Sequence, residues 1–377
     1  MTRARRFAVL VVVATLPLLV GSGRPQAAQN PSSSATQERD FLSRVRRLTV
    51  EGRRAGEGYW SPDGRRLVFQ SEREPGNPFY QIYVLDLTSG ETTRISPGIG
   101  KTTCAFFRPR TDQILFSSTH LDPRSKQFQD EEIAFRASGQ ERRYAWDYDE
   151  AMDIFAYSEG TRALTRLTDA RGYDAEASDS PDGEWIVFSS IRDAYNRTLN
   201  AIEQKQLATD PAYFAEIYIM RADGTGQRRL TTVAGYDGGP FFTHDGGRIV
   251  WRRFDEQGLI ADVWTMKMDG TDAKQITNFR AMSWAPYEHP SGEYILFASN
   301  KLGFENFEVF MVDTAGTKEP VRVTYSDGFD GLPVPSPDGT QLAWTSARSG
   351  GSAGQIFLAQ WNHQRAMEAI KAAPLRN

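Results

Sequence analysis

The sequence predicts an all-β fold: a six-bladed β-propeller of four-stranded antiparallel blades, closed by an N-terminal strand. Three observations carry that expectation. A turn quartet recurs five times, with a degenerate sixth copy. An aromatic stands five residues after the glycine of each quartet. A short strand ending in a hydrophobic residue and Thr or Ser closes each unit.

The quartets are Ser61-Pro62-Asp63-Gly64, Ser180-Pro181-Asp182-Gly183, Thr243-His244-Asp245-Gly246, His289-Pro290-Ser291-Gly292 and Ser336-Pro337-Asp338-Gly339, with Arg108-Pro109-Arg110-Thr111-Asp112 as the degenerate copy. Proline presets φ for the second turn position and glycine accepts the positive φ that closes a hairpin. The aromatics that follow are Phe69, Phe116, Phe188, Trp251, Phe297 and Trp344, each within a short strand pattern. A further strand follows, as in Gln81-Ile82-Tyr83, Glu216-Ile217-Tyr218 and Gln355-Ile356-Phe357. The unit ends on strands such as Arg94-Ile95-Ser96, Arg166-Leu167-Thr168 and Arg322-Val323-Thr324. With the strand before each quartet this makes four strands per unit. The spacing is 47 residues from Pro62 to Pro109 and again from Pro290 to Pro337, the length of a propeller blade. Twelve aromatics at matched positions are expected to form the contacts between blades, each contributing roughly 1.5–3 kcal/mol on burial.

The sixth unit lacks its last strand, and Arg47-Leu48-Thr49 supplies it from the other end of the chain. Residues 47–49 are therefore expected to pair onto the blade built from 328–361, which removes open sheet edges. The propeller is placed at 47–361, a helical tail at 362–377 and a linker at 29–46. Ahead of these, Arg3, Arg5 and Arg6 precede an apolar run of 14 residues, Phe7 to Val20. That run is too short to cross a bilayer and has the form of a secretory signal peptide, residues 1–28. Its removal leaves 40 basic residues against 48 acidic ones, a net charge of −8, and no membrane span. The expected location is periplasmic or secreted.

Composition closes other routes. The 24% charged and 12% aromatic residues are those of a globular chain. Net acidity gives no footprint for nucleic acid. A single cysteine, Cys104, cannot form an internal disulfide, and it falls in an inner strand as a small buried residue. The four histidines are too scattered for a metal cluster. Gly350-Gly351-Ser352-Ala353-Gly354 has the G-x-S-x-G form, but it sits in a hairpin with no acid between it and His363.

Quartet, aromatic and closing Leu-Thr together resemble the β-propeller repeat of TolB, the periplasmic component of the Tol envelope system, and are similar to propellers that cover some peptidases. The resemblance spans 47–361 and takes in the propeller only, without the N-terminal α/β domain of that family. It implies the fold and an envelope location.

Chain direction sorts the loops onto two faces. Quartets and Asp-Gly turns share one. The other holds the loops entering each inner strand, where Asp174, Asp237 and Asp330 stand six residues before their quartets, each preceded by an aromatic: Tyr173, Tyr236 and Phe329. These are expected to surround the mouth of the central channel, where the aspartates either attract a cation or basic segment or accept backbone N–H bonds between blades. Two insertions fall on the same face, at about 122–148 with Tyr144 and Trp146, and at about 193–214, where residues 200–207 suit a helix. Arg252, Arg253 and Lys301 belong to smaller loops there. Long loops on a rigid scaffold carry binding. The expectation is a monomeric, non-enzymatic scaffold for a protein or cell-envelope glycan, with no cofactor, although a divalent cation at the three aspartates stays open. The alternative is a metal-assisted hydrolase or lyase, or an accessory lid of a peptidase.

Overall fold

The computed structural model describes residues 37–140, 148–350 and 354–376. They form six four-stranded antiparallel sheets around a central channel. Blade one comprises β2 (Arg54–Trp60), β3 (Arg66–Glu72), β4 (Gln81–Asp86) and β5 (Thr92–Arg94), and blade two β6 (Thr102–Phe107), β7 (Gln113–Ser118), β8 (Asp153–Ser158) and β9 (Leu164–Arg166). Blade three holds β10 (Asp174–Asp179), β11 (Trp185–Ser190), β12 (Glu216–Arg221) and β13 (Arg228–Arg229). Blade four holds β14 (Asp237–Phe242), β15 (Arg248–Phe254), β16 (Ala261–Lys267) and β17 (Lys274–Gln275). Blade five is β18 (Ser283–Glu288), β19 (Tyr294–Ser299), β20 (Glu308–Asp313) and β21 (Val321–Arg322). Blade six is β22 (Asp330–Pro335), β23 (Gln341–Ser346), β24 (Gln355–Trp361) and, from the start of the chain, β1 (Leu42–Arg47).

The turn quartets explain their own recurrence. Ser61 Oγ donates to Asp63 at 2.6 Å and accepts from the Arg66 N–H at 2.9 Å, while Gly64 sits at φ 70°. The same geometry recurs at Ser180, Thr243 and Ser336. Those hydroxyls, with backbone N–H groups, hold Asp63, Asp182, Asp245 and Asp338 below the usual carboxylate range.

The twelve aromatics pair across the second and third strands of each blade. Phe69 faces Tyr83, Phe116 faces Phe155, Phe188 faces Tyr218, Trp251 faces Trp264, Phe297 faces Phe310 and Trp344 faces Phe357. They also pack against the aliphatic face of the preceding blade, as Phe116 does against Val68, Ile82 and Val84.

A second device closes each blade. The Ser or Thr after the outer strand accepts an N–H near the start of the third strand and donates to the polar side chain of the residue just before that N–H. Thr277 does so with Val263 and Asp262, and Ser96 with Ile82 and Gln81. Thr49 completes the ring with Ile356 at 2.9 Å and Gln355 at 2.7 Å. The closing strand is longer than the sequence reading placed it. It begins at Leu42, opposite Trp361, rather than at Arg47, so the end of the expected 29–46 linker belongs to blade six. The reason is burial: Phe41 and Leu42 pack under Trp361 and against Ala366 and Ile370 of α4 (His363–Ala372). The tail continues along blade five, where Leu375 bridges Lys318 and the Arg376 N–H donates to Thr317 O at 2.8 Å.

Candidate binding site in the central channel

Each inner strand carries a bulge at one register position. Residues there have left-handed backbones: Glu57 (φ 53°), Cys104 (53°), Glu176 (59°), Gly239 (58°), Ala285 (51°) and Leu332 (54°). Register slips at the same point in every blade. Such bulges bend a strand and re-aim a side chain, and six of them turn one ring of residues toward the axis.

Two residues further along, rings from four blades meet across the channel. Tyr59 lies 5.7 Å from Phe106, 5.4 Å from Phe241 and 6.2 Å from Tyr287, and Phe241 lies 4.9 Å from Tyr287. They make a floor. The polar residues of the bulge ring stand on the side of it where the inner strands begin.

There Glu176, Arg252 and Tyr236 form one constellation. Arg252 donates to Glu176 Oε1 at 2.6 Å and also contacts the Tyr236 hydroxyl, which itself donates to Glu176 at 2.5 Å. The Gly239 N–H donates to the other carboxylate oxygen at 2.6 Å. The guanidinium lies 4.8 Å over the Tyr236 ring and 5.8 Å from that of Trp284. Glycines make room for this. A Cβ on Gly238 would meet Tyr236 and Glu176 within 2.5 Å, and one on Gly239 would meet Arg252 Nη1 at 2.0 Å.

Glu57 stands beside them from blade one. Its nearest hydrogen-bond partners are the Tyr59 hydroxyl at 3.4 Å and the Cys104 thiol. Burial, reinforced by the negative charge of Glu176, lifts its carboxyl to about 7 against the opposing pull of Cys104, Arg252 and Tyr59. Burial, with Glu57 and Glu176, pushes the Cys104 thiol well above its ordinary range, so it stays protonated and unreactive.

Both insertions lie on this face. The first forms α1 (Ser125–Ala137), pinned to blade one by Gln129 and Arg136. Its return brings Tyr148 edge-on to Tyr173 at 5.2 Å and Tyr236 at 5.6 Å. The second forms α2 (Asp193–Asn196), α3 (Ala201–Thr209) and a 3-10 turn at Pro211–Phe214, with a capping box from Asn200 and Glu203 starting α3.

The sequence-predicted site residues divide. Asp174, Asp237 and Asp330 each open an inner strand, but they form no open acidic ring. Each carboxylate is buried and paired with an arginine from the neighbouring strand end: Arg192, Arg253 at 2.7 Å and Arg348 at 2.8 Å. Trp251 and Trp344 add indole N–H bonds at 3.0 Å to Asp237 and Asp330. Among the described residues no three His, Cys, Asp or Glu come together to hold a metal. Arg252 is not on an exposed loop: it is buried within β15. Arg253 is spent on Asp237 and lies over the Trp264 ring. Lys301 donates to Phe279 O at 3.1 Å at the surface. Tyr173 is fully buried, Tyr236 lines the site, and Phe329 packs on Trp284 at 6.1 Å. Tyr144 and Trp146 lie outside the described residues. Sequence reasoning missed Glu57, Glu176, Tyr59 and Tyr148. The signal for the first two was their shared register with Gly239 at the bulge of the inner strand.

No family model matches the chain. Among curated proteins it is 26% identical over 154 residues to "Uncharacterized peptidase YuxL" of Bacillus subtilis, covering 37% of this chain and 22% of that protein. It is 25% identical over 120 residues to a "Protein TolB homolog" of Chlorobium luteolum, covering 26% and 28%. The matches thus span less than a third of those relatives' length. Among solved structures, the putative TolB of Agrobacterium tumefaciens aligns with a TM-score of 0.57 at 18% identity, over 85% of this chain and 99% of that one. The TolB of Acinetobacter baumannii gives 0.53 at 15%, over 82% and 64%. An oligogalacturonate lyase of Vibrio parahaemolyticus gives 0.52 at 12%, over 85% and 94%. Likeness at this level speaks to architecture, and in architecture the chain is a TolB-like six-bladed β-propeller.

Proposed function

We propose that the protein is a periplasmic or secreted binding scaffold that holds a protein partner across its channel mouth, acting as a monomer. The observation that carries this reading is an asymmetry of apolar exposure. Of eleven exposed large hydrophobics among the described residues, nine lie on loops or the insertions of the mouth face, including Leu121, Ile202, Leu259, Leu302 and Phe304. The two others are Val45 and Leu375. The opposite face presents Asp-Gly and Ser-Pro-Asp-Gly turns. Exposed apolar side chains gathered on one face mark it as the surface for a partner, and a rigid ring lowers the ordering cost of binding. The basic start and 14-residue apolar run support export. Cell-envelope glycan is the other ligand class this face would suit.

Crosslinking capture from envelope extract tests it. Leu259→Asp with Phe304→Asp should lose the partner that wild type recovers, whereas Glu184→Lys on the opposite face should keep it. Equal recovery by all three removes the mouth from the interface. One observation favours an enzyme instead: Glu57 titrates near 7, where a general acid–base works. Turnover of oligosaccharide or peptide substrates that disappears in Glu57→Gln would establish that second reading.

A further inference from the structure

The channel above the Tyr59 floor is a blind cup. Rings from blades one, two, four and five close it below, so an occupant enters and leaves through the mouth. Three formal charges stand in it among the described residues: Glu57, Glu176 and Arg252. Arg252 is committed to Glu176, whose second oxygen is filled by the Gly239 N–H. Glu57 has no ion pair within 4 Å among the described residues. A partly buried carboxylate without a counter-ion is costly, and proteins retain one where something else neutralises it. The lining is aromatic, with Tyr59 in the floor and Tyr148, Tyr236 and Trp284 above it. The indole N–H of Trp284, beside Arg252, is buried with no hydrogen-bond partner among the described residues. A site with one spare negative charge, aromatic walls and a spare donor fits a cation on a flexible apolar stem that brings an acceptor with it.

We propose that this cup receives one lysine side chain of the docked partner, its ammonium on Glu57, its stem along the tyrosines and a carbonyl of its backbone toward Trp284. This rests on the reading of the mouth as the docking face. A lysine presents its charge at the end of a flexible four-carbon stem, whereas a free amino terminus would need a whole backbone to enter.

The test titrates the full chain at pH 8 with N-acetyl-lysine methylamide, N-acetyl-norleucine methylamide and glycine methylamide, followed by ligand-observed NMR. The lysine probe should bind saturably and at least tenfold tighter than the other two. Glu57→Gln, an isostere, should reduce it to the norleucine level. In wild type the lysine probe should also weaken as pH falls below about 7, because Glu57 takes up a proton while Arg252 and the probe stay charged and Tyr59 and Cys104 stay neutral. That arm decides the matter if the variant fails to fold. Equal binding of lysine and norleucine probes, tighter binding of glycine methylamide, or lysine binding unaltered by Glu57→Gln and by pH overturns the proposal. Ca²⁺ displacing the lysine probe at micromolar concentration also overturns it, in favour of a metal. Loss of partner capture in the Leu259→Asp, Phe304→Asp variant with no lysine binding in wild type sinks only the cup. Lysine binding without any mouth-dependent partner sinks only the scaffold reading.

Discussion

A Cβ on Gly239 would lie 2.0 Å from Nη1 of Arg252, so these two residues divide one volume between them. Gly239 also holds φ 58° and gives its N–H to Glu176. The glycine is therefore what allows a buried arginine to reach across from blade four to blade three.

Gly239→Ala is accordingly expected to expel Arg252 from Glu176 and destabilise the fold by about 1–3 kcal/mol, the sum of a strained backbone and a displaced ion pair. Urea unfolding measures it. Gly76→Ala serves as control, since nothing lies within 4 Å of a Cβ there and its φ is not positive. Equal costs at the two sites would contradict the steric account.

Glu57 makes stability depend on pH in a direction opposite to that of a paired acid. Its carboxyl sits at about 7 in the folded state and at the ordinary 4.5 when unfolded. The folded protein therefore binds the extra proton between those values, and stability falls as pH rises from about 4.5 to 7. Glu57→Gln should be more stable than wild type by a few kcal/mol at pH 8 and equal to it at pH 4. Denaturation midpoints at the two pH values check this. A constant difference across pH would mean that Glu57 does not titrate in that window.

Much of the ring was legible from residue types because each blade repeats a local chemical solution. Asp63, Gly64 and Phe69 announce a turn and a strand without reference to the rest of the chain. The site was less legible because it depends on what six strands do at the axis. Asp174, Asp237 and Asp330 shared a register and looked like a ring, yet Arg192, Arg253 and Arg348 lay 16 to 18 residues on and neutralised them. Glu57 and Glu176 also shared a register, but Cys104, Gly239, Ala285 and Leu332 in the other blades share no chemistry with them. The start of β1 was missed because Leu42 and Phe41 gain their burial from Trp361 and α4, more than 300 residues away.

Ring closure offers a direct comparison. Thr49 Oγ1 makes two hydrogen bonds across the only seam where the ends of the ring meet, and Thr324 makes the same pair within blade five. Thr49→Val should cost about 1–3 kcal/mol, because a buried backbone N–H and the Gln355 side chain both lose a partner. It should also speed proteolysis of residues 37–49 more than Thr324→Val does. The reason is that fraying of β1 needs no other blade to open, and it exposes the edge of β24. Mass spectrometry of limited digests reads the difference.

The last device joins the tail to blade five. His289 and His363 stack at 4.7 Å with rings 5° from parallel, and Tyr294 lies against both. His289 Nδ1 accepts the Ser291 N–H at 3.1 Å while Nε2 faces Gly339 O at 3.3 Å, which fixes a neutral ring. Burial lowers its pKa to about 4, with His363 and His244 adding to the effect and Gly339 O opposing it. A histidine depressed in this way contributes stability that is full above about 6.5 and lost as pH falls toward 4, because the unfolded chain takes up the proton first. Wild type should therefore lose on the order of 3 kcal/mol from this group over that interval. His289→Gln should lower the melting temperature at pH 7.5 and flatten its fall between pH 6.5 and 4.5. An equally steep fall in the variant would assign the acid sensitivity to other groups and leave the stacked histidines as packing alone.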